Sequence, residues 1–234
     1  MINPLTKHSE FPQKRPVVLA ILDGVGLAPP SEKNAVQLAK TPTLDHLFQG
    51  PLFRTLKAHG TAVGMPTDDD MGNSEVGHNA LGAGRVFAQG ASLVSQAVES
   101  KAVFHTDLWR QLTGRVITNQ STFHLIGLLS DGNVHSHKNH LKAMLDELSR
   151  DHVQKVRIHI LLDGRDVPAR SAMGYVDELD DWLNQINQSS QRDYQIASGG
   201  GRMLVSMDRY GAEWDMVERG WQTHVLGEGP RFPS

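Results

Sequence analysis

Three times in the second half of the chain an apolar run ends in a polar loop and is followed by helical periodicity or a basic cluster. This recurrence narrows the fold more than any other feature. Residues 123–129 run apolar into Ser130-Asp131-Gly132, and the helix expected from Ser136 carries Leu141, Met144, Leu145 and Leu148 on one side. Residues 156–162 end in Asp163-Gly164-Arg165-Asp166, ahead of a helix from Ser171 that continues through Val176, Leu179, Leu183 and Ile186. Residues 194–197 form a third expected strand, ending in Gly199, Gly200, Gly201 and Arg202. This order belongs to a parallel α/β sheet, whose site lies at the carboxyl ends of the strands.

The first third of the chain is shorter on elements. Residues 16–22 are apolar up to Asp23-Gly24-Val25-Gly26, which predicts a buried parallel strand that delivers the Asp23 carboxylate to its carboxyl edge. The alternative is that Asp23 only forms a turn. A short helical run is expected over 34–40, and Thr41-Pro42 reads as a cap with proline at the first helical position, opening a helix over Leu44 and Leu47. Residues 53–56 are a further strand candidate. Asp68, Asp69 and Asp70 do not match the spacing of a calcium loop, so 63–70 reads as a solvated loop. Around 82–90 the character changes. The expected organisation is a loose tail over 1–15, a first segment over 16–88 and a second over 89–234, with helices at 92–99 and 103–112 whose Phe104, Leu108 and Leu112 share a face.

Residues 71–84, MGNSEVGHNALGAG, concentrate the chemistry of the first segment. Glycines let the backbone turn sharply and approach a ligand, and a helix reading from Glu75 puts Ser74 near an amino end, where unpaired N–H groups favour an anion. Ser74 is a candidate carrier of a phosphoryl group or, more plainly, an N-cap. As a nucleophile it needs a base or a metal, and Asp23 is the expected metal ligand facing it. In the second segment Asp131, His135 and His137 could ligate a metal, or the imidazoles could exchange hydrogen bonds with a phosphate or a hydroxyl. Arg165, Asp166, Arg202 and Arg209 follow strand ends. They form either a clamp for a small anion or a set of surface salt bridges.

A formal charge of −3 gives no support to a nucleic-acid or polybasic membrane surface. With no cysteine, disulfide and thiol chemistry are excluded, which fits a reducing compartment. No apolar run is long enough to span a bilayer, and the first fifteen residues lack the apolar centre of a signal peptide.

Asp23-Gly-Val-Gly, Gly72-Asn-Ser-Glu-Val-Gly-His78, Ser130-Asp-Gly-Asn-Val-His-Ser-His137, Leu162-Asp-Gly-Arg-Asp166 and Met207-Asp-Arg209 stand in order and at suitable intervals. Together they resemble the cofactor-independent (2,3-bisphosphoglycerate-independent) phosphoglycerate mutases of the alkaline phosphatase-like superfamily. Ser198-Gly-Gly-Gly-Arg-Met203 and Met207-Asp-Arg-Tyr210 are similar to the plant and protist branch. The resemblance implies an α/β chain: an incomplete alkaline phosphatase-like segment followed by an incomplete phosphotransferase domain with a mostly parallel sheet. It implies that Ser74 carries the phosphoryl group between 2- and 3-phosphoglycerate, that Asp23 and Ser74 share a divalent metal, and that His135, Arg165, Asp166, Arg202 and Arg209 bind substrate. Manganese is the expected metal, with two ions in the complete enzyme, no 2,3-bisphosphoglycerate and a cytoplasmic location.

Members of that family are about twice as long. They bring further aspartate and histidine ligands, a lysine and two more arginines, none of which occurs up to Ser234. The expectation is therefore an N-terminal portion: a fragment, a split gene product that pairs with a separate C-terminal half, or a truncated frame. Apolar residues should be exposed where the absent half would pack. A non-catalytic fragment remains the alternative, and a metal-dependent phosphatase of the same superfamily is disfavoured by the arginines.

Overall fold

A computed structural model describes residues 16–205, 211 and 213–231. The expected tail over 1–15, Arg209 and the rest of Met207-Asp-Arg209 lie outside the described residues. The chain divides into two compact units, Met1–Thr55 and Leu56–Ser234.

In the first unit the strand expected over 16–22 does not form. The backbone there has no strand pairing, and Val17 and Val18 are 90% and 91% exposed, with Leu19, Ile21 and Leu22 also open to solvent. A parallel strand needs neighbours for its N–H and C=O groups and cover for both faces, which the described residues do not supply. The expected exposure of apolar side chains is found here. The candidate strand over 53–56 is likewise absent. Helix α1 (Ala35–Leu38) is capped by Asn34, whose side chain accepts from Gln37 N. Helix α2 (Pro42–Phe48) starts with Pro42 after Thr41 as expected, although the Thr41 hydroxyl bonds Asp45 Oδ1 at 3.0 Å rather than a backbone N–H.

The second unit opens with a 3-10 turn (Gly60–Val63), α3 (Ser74–Ala83) and α4 (Gly90–Glu99). Val63, Met65 and Val76 make a small core, to which Ala91 adds. Gly64 takes φ +86°, and a Cβ on it would lie 1.8 Å from the Phe87 carbonyl oxygen, so only glycine fits this crossing. The helix expected over 103–112 is broken in two. A 3-10 turn (Ala102–His105) ends at Thr106, whose hydroxyl caps α5 (Asp107–Thr118) by accepting from Trp109 N. The break rotates the buried face: Phe104, Trp109 and Thr113 turn inward, while Leu108 and Leu112 are exposed.

Strands β1 (Phe123–Leu129), β2 (Lys155–Leu162) and β3 (Asp193–Gly201) form one parallel sheet in the order β1-β2-β3. It is the one sheet among the described residues, so the fold is α/β. Helix α6 (Lys138–Arg150) follows β1 and α7 (Ala172–Ser190) follows β2. Leu145 and Leu148 of α6 and Leu179, Leu183 and Ile186 of α7 are buried with Val156, Ile158 and Tyr194 in the main core. Strand β3 is longer than residues 194–197 predict and runs on through three glycines. A Cβ on Gly199 would come 2.7 Å from Ile160 Cγ1, which shows how closely the strands' contents pack. Helices α8 (Arg202–Val205) and α9 (Trp214–Trp221) and a π turn (Gln222–Leu226) complete the unit.

Candidate functional site

The carboxyl ends of β1, β2 and β3 deliver three loops to one place. Asp163, the first residue past β2, is their centre. Its carboxylate accepts from the Ser130 hydroxyl past β1 (2.7 Å), from the backbone N–H groups of Arg165 and Asp166 (both 3.1 Å) and from Arg202 Nη1 past β3 (2.9 Å). Burial pushes this carboxyl up, but those hydrogen bonds outweigh it and hold the pKa below the ordinary 3.8. Arg202 Nη1 also donates to Asp166 Oδ2 at 2.7 Å, and its side chain is 1% exposed. Burial works against the guanidinium charge, yet the two carboxylates raise its pKa above the usual value. His135 Nε2 stands 3.9 Å from the same Asp166 oxygen, with half its side chain in solvent.

Of the expected substrate ligands, His135, Asp166 and Arg202 are thus brought together. Arg202 is an internal counter-ion here rather than an exposed clamp. Arg165 sits in the same loop with an exposed side chain that has no ion-pair partner among the described residues. Arg209 is outside the described residues. Sequence reading passed over the roles of Asp163 and Ser130. Their signal is an aspartate at a strand end followed by Gly164 at φ +86°, which lets one carboxylate gather two successive N–H groups.

The metal reading of Asp131, His135 and His137 is not supported. Asp131 accepts from the Tyr175 hydroxyl at 2.5 Å, and His137 caps α6 by accepting from Asn139 N at 3.1 Å. Burial first, offset by Asp131 and Asp70, lowers the His137 pKa. Among the described residues no group of three or more His, Asp or Glu side chains could hold a metal ion.

Ser74 is the first residue of α3, and the cap is Asn73, whose side chain accepts from Val76 N at 3.0 Å. The helix therefore does not use the serine hydroxyl as its cap. His78, one turn on, places Nδ1 3.2 Å from Ser74 Oγ and 2.6 Å from the Ser74 carbonyl oxygen. The shorter contact requires Nδ1 to donate, so His78 offers Ser74 a proton and is not a base toward it. The loop before the serine is exposed at Thr67, Asp68 and Asp69, as expected, and is held by local hydrogen bonds. Asp68 accepts from Thr61 N and Oγ1, and Asp70 from Thr67 N, Thr67 Oγ1 and Asn133 Nδ2. In the first unit Asp23 Oδ1 accepts from Gly24 N at 3.1 Å across a turn with Gly24 at φ +77°.

A parallel sheet with acidic, arginine- and histidine-bearing loops at its carboxyl edge, preceded by a helix that begins on a serine, defines an α/β protein. The comparisons place it more narrowly. Residues 94–233 match the family described as BPG-independent PGAM N-terminus (iPGM_N), and the chain belongs to that family. It is 53% identical over 232 residues to a probable 2,3-bisphosphoglycerate-independent phosphoglycerate mutase of Leptospira interrogans, a match that covers 98% of this chain and 42% of the relative. It is 52% identical over 231 residues to the 2,3-bisphosphoglycerate-independent phosphoglycerate mutase of Trypanosoma brucei brucei and 50% identical over 233 residues to that of Zea mays. A crystal structure of Leishmania mexicana phosphoglycerate mutase at low cobalt concentration superposes with a TM-score of 0.83 at 50% identity, over 91% of this chain and 39% of that one. The chain spans about two fifths of the length of the curated relatives it matches.

Proposed function

We propose that this chain is the N-terminal portion of a phosphoglycerate mutase that interconverts 2- and 3-phosphoglycerate through a phosphoserine at Ser74, a step of glycolysis and gluconeogenesis. The observation that carries the reading is the convergence of His135, Asp166 and Arg202 past three parallel strands in a chain of this family. Residues 16–88 then bear the nucleophile, and 89–234 hold the glycerate. Ser74 Oγ attacks the phosphorus and the bond to the substrate oxygen breaks, leaving phosphoserine and glycerate. Arg165, with its exposed guanidinium, meets the anion, together with His135 and with Arg209. Arg202 fixes Asp166, whose carboxylate accepts from a glycerate hydroxyl. The reoriented glycerate attacks the phosphoserine through its other hydroxyl, and Ser74 is regenerated. Exclusion of water keeps the phosphoryl group from hydrolysis.

The proposed metal ligands, Asp23 and Ser74, are two oxygen donors in separate units. Catalytic metal sites use at least about three protein ligands. The described residues do not supply that set, so no step here is derived through a metal. The cobalt named for the Leishmania mexicana structure fits a divalent ion in the complete protein. Manganese, as two ions, is our reading, with the remaining ligands on a C-terminal half. No described helix is long and apolar enough to cross a membrane, and a small glycolytic substrate suits the cytoplasm.

The test is a coupled mutase assay with manganese on the 234-residue chain, alone and with the C-terminal portion of a relative added as a separate chain. No turnover alone and Ser74-dependent turnover after addition are expected. Turnover by the chain alone that S74A abolishes would overturn the split site. Silence after complementation, with the two portions shown to associate, would overturn the mutase reading in favour of a non-catalytic fragment.

A further inference from the structure

The loop before Ser74 and the loop that carries His135 are joined by one side-chain hydrogen bond, from Asn133 Nδ2 to Asp70 Oδ1 at 2.8 Å across 63 positions of sequence. Asp70 is held firmly on its own side. Its other carboxylate oxygen accepts from Thr67 N (2.7 Å) and Thr67 Oγ1 (2.8 Å), and its carbonyl accepts from Gly60 N (3.0 Å). Between Asp70 and Ser74 the backbone has little room to move. A Cβ on Gly72 would lie 1.9 Å from the Ala58 carbonyl oxygen, and Asn73 is bound to α3 as its cap. Asn133 is equally constrained: it is buried and takes the left-handed φ of +53°. Its neighbour Gly132 packs so tightly on the second loop that a Cβ would come 3.0 Å from Asp166 Cβ, and His135 lies two residues after Asn133.

We infer that Asp70 and Asn133 are positioning residues, whose hydrogen bond sets the place of Ser74 relative to the loop bearing His135. The inference rests on the proposed roles of Ser74 and His135. The chemistry suits a fixed link. A carboxylate that already takes two hydrogen bonds from Thr67 has one oxygen left to aim, and an amide NH2 is a neutral donor that adds no charge beside a phosphorylated ligand. Burial pushes the Asp70 carboxyl up, but Asn133 and Thr67 keep its pKa below 3.8, so the acceptor is ionised at neutral pH.

The test is amide hydrogen exchange on the 234-residue chain. N133D sets two carboxylates against each other, and exchange over residues 71–76 should quicken by about tenfold or more, as expected for loss of a charged hydrogen bond, while β2 amides stay protected. The double variant D70N/N133D should return it close to wild type. The amide introduced by D70N keeps its oxygen on Thr67 and turns its NH2 toward the new carboxylate. Unchanged exchange at 71–76 in N133D, or no recovery in the double variant, overturns the inference, even if the single variant loosens the whole fold. Added 3-phosphoglycerate separates the two readings. Protection of both 131–137 and 71–76 in wild type is expected, and protection of 131–137 alone overturns the link. No protection at either site counts against the substrate assignment, while the ligand-free comparison still decides the link.

Discussion

Replacement of Arg202 by methionine tests the strand-edge cluster most directly. Methionine keeps an unbranched stem but removes the guanidinium that reaches Asp163 at 2.9 Å and Asp166 at 2.7 Å. The Asp163 side chain is 2% exposed, so its charge has little water to turn to. Breaking a buried ion pair by removing one partner costs about 3–5 kcal/mol. An independent bound comes from the proton. Protonating a carboxyl of ordinary pKa 3.8 at pH 7 costs about 4 kcal/mol, at about 1.36 kcal/mol per unit, so the penalty of the unpaired Asp163 charge relative to the unfolded chain stops there, where the group neutralises instead. Ser130 and the two backbone N–H groups remain as donors, which brings the expected loss to about 2–4 kcal/mol.

The sign with pH follows. In the wild type the Asp163 pKa is depressed, so its contribution is present above 3.8 and is lost only as pH falls further, through the folded value. In R202M the unpaired carboxyl is raised, the folded state binds the proton first, and the variant gains relative stability as pH falls. At pH 5 the protonation bound is only about 1.6 kcal/mol. Urea titrations at pH 7 and pH 5 followed by tryptophan fluorescence report the second unit, which holds all four tryptophans. A loss under about 1 kcal/mol at pH 7, or a loss that does not shrink at pH 5, would refute the reasoning.

Histidines add an independent pH dependence. Burial foremost lowers the pKa of His140, His159 and His224, and His159 is hydrogen-bonded to His124 (2.9 Å) and Ser198 (2.6 Å). Their contribution is complete above the unfolded value of 6.5 and declines below it, by at most about 1.4 kcal/mol per pH unit for each histidine. Urea midpoints that hold constant from pH 7.5 down to 5.5 would contradict this. L145A empties a fully buried position between α6 and the sheet, and calorimetry or urea titration should show a loss of about 2–5 kcal/mol. N73A removes the cap of α3 and should cost about 1 kcal/mol locally, read as faster amide exchange at Val76 with β2 unaffected.

The sequence by itself determined the elements whose signal is local. Leu141, Met144, Leu145 and Leu148, and Leu179, Leu183 and Ile186, mark α6 and α7 through helical spacing, and the apolar runs before Ser130 and Asp163 mark β1 and β2. It also brought His135, Asp166 and Arg202 under suspicion, because polar residues that follow parallel strands meet at one edge. Tertiary structure decided what depends on a partner distant in the chain. Residues 16–22 have a strand's composition but no described strand beside them, and backbone hydrogen bonding, not apolar character, makes a strand. Gly199 to Gly201 look like a loop in sequence and are strand because their backbone pairs with Ile160, Leu161 and Leu162 of β2, with Ile160 crowding Gly199. Thr106 splits an apparently continuous helix and turns Leu108 outward, since a cap resets the helical phase that spacing alone assumes constant. Arg202 reads as a ligand clamp, yet it is buried on two carboxylates, and the bond from Asn133 to Asp70 has no sequence signal at all. Which charges and amides meet is set by how the loops pack, and spacing along the chain does not contain that information.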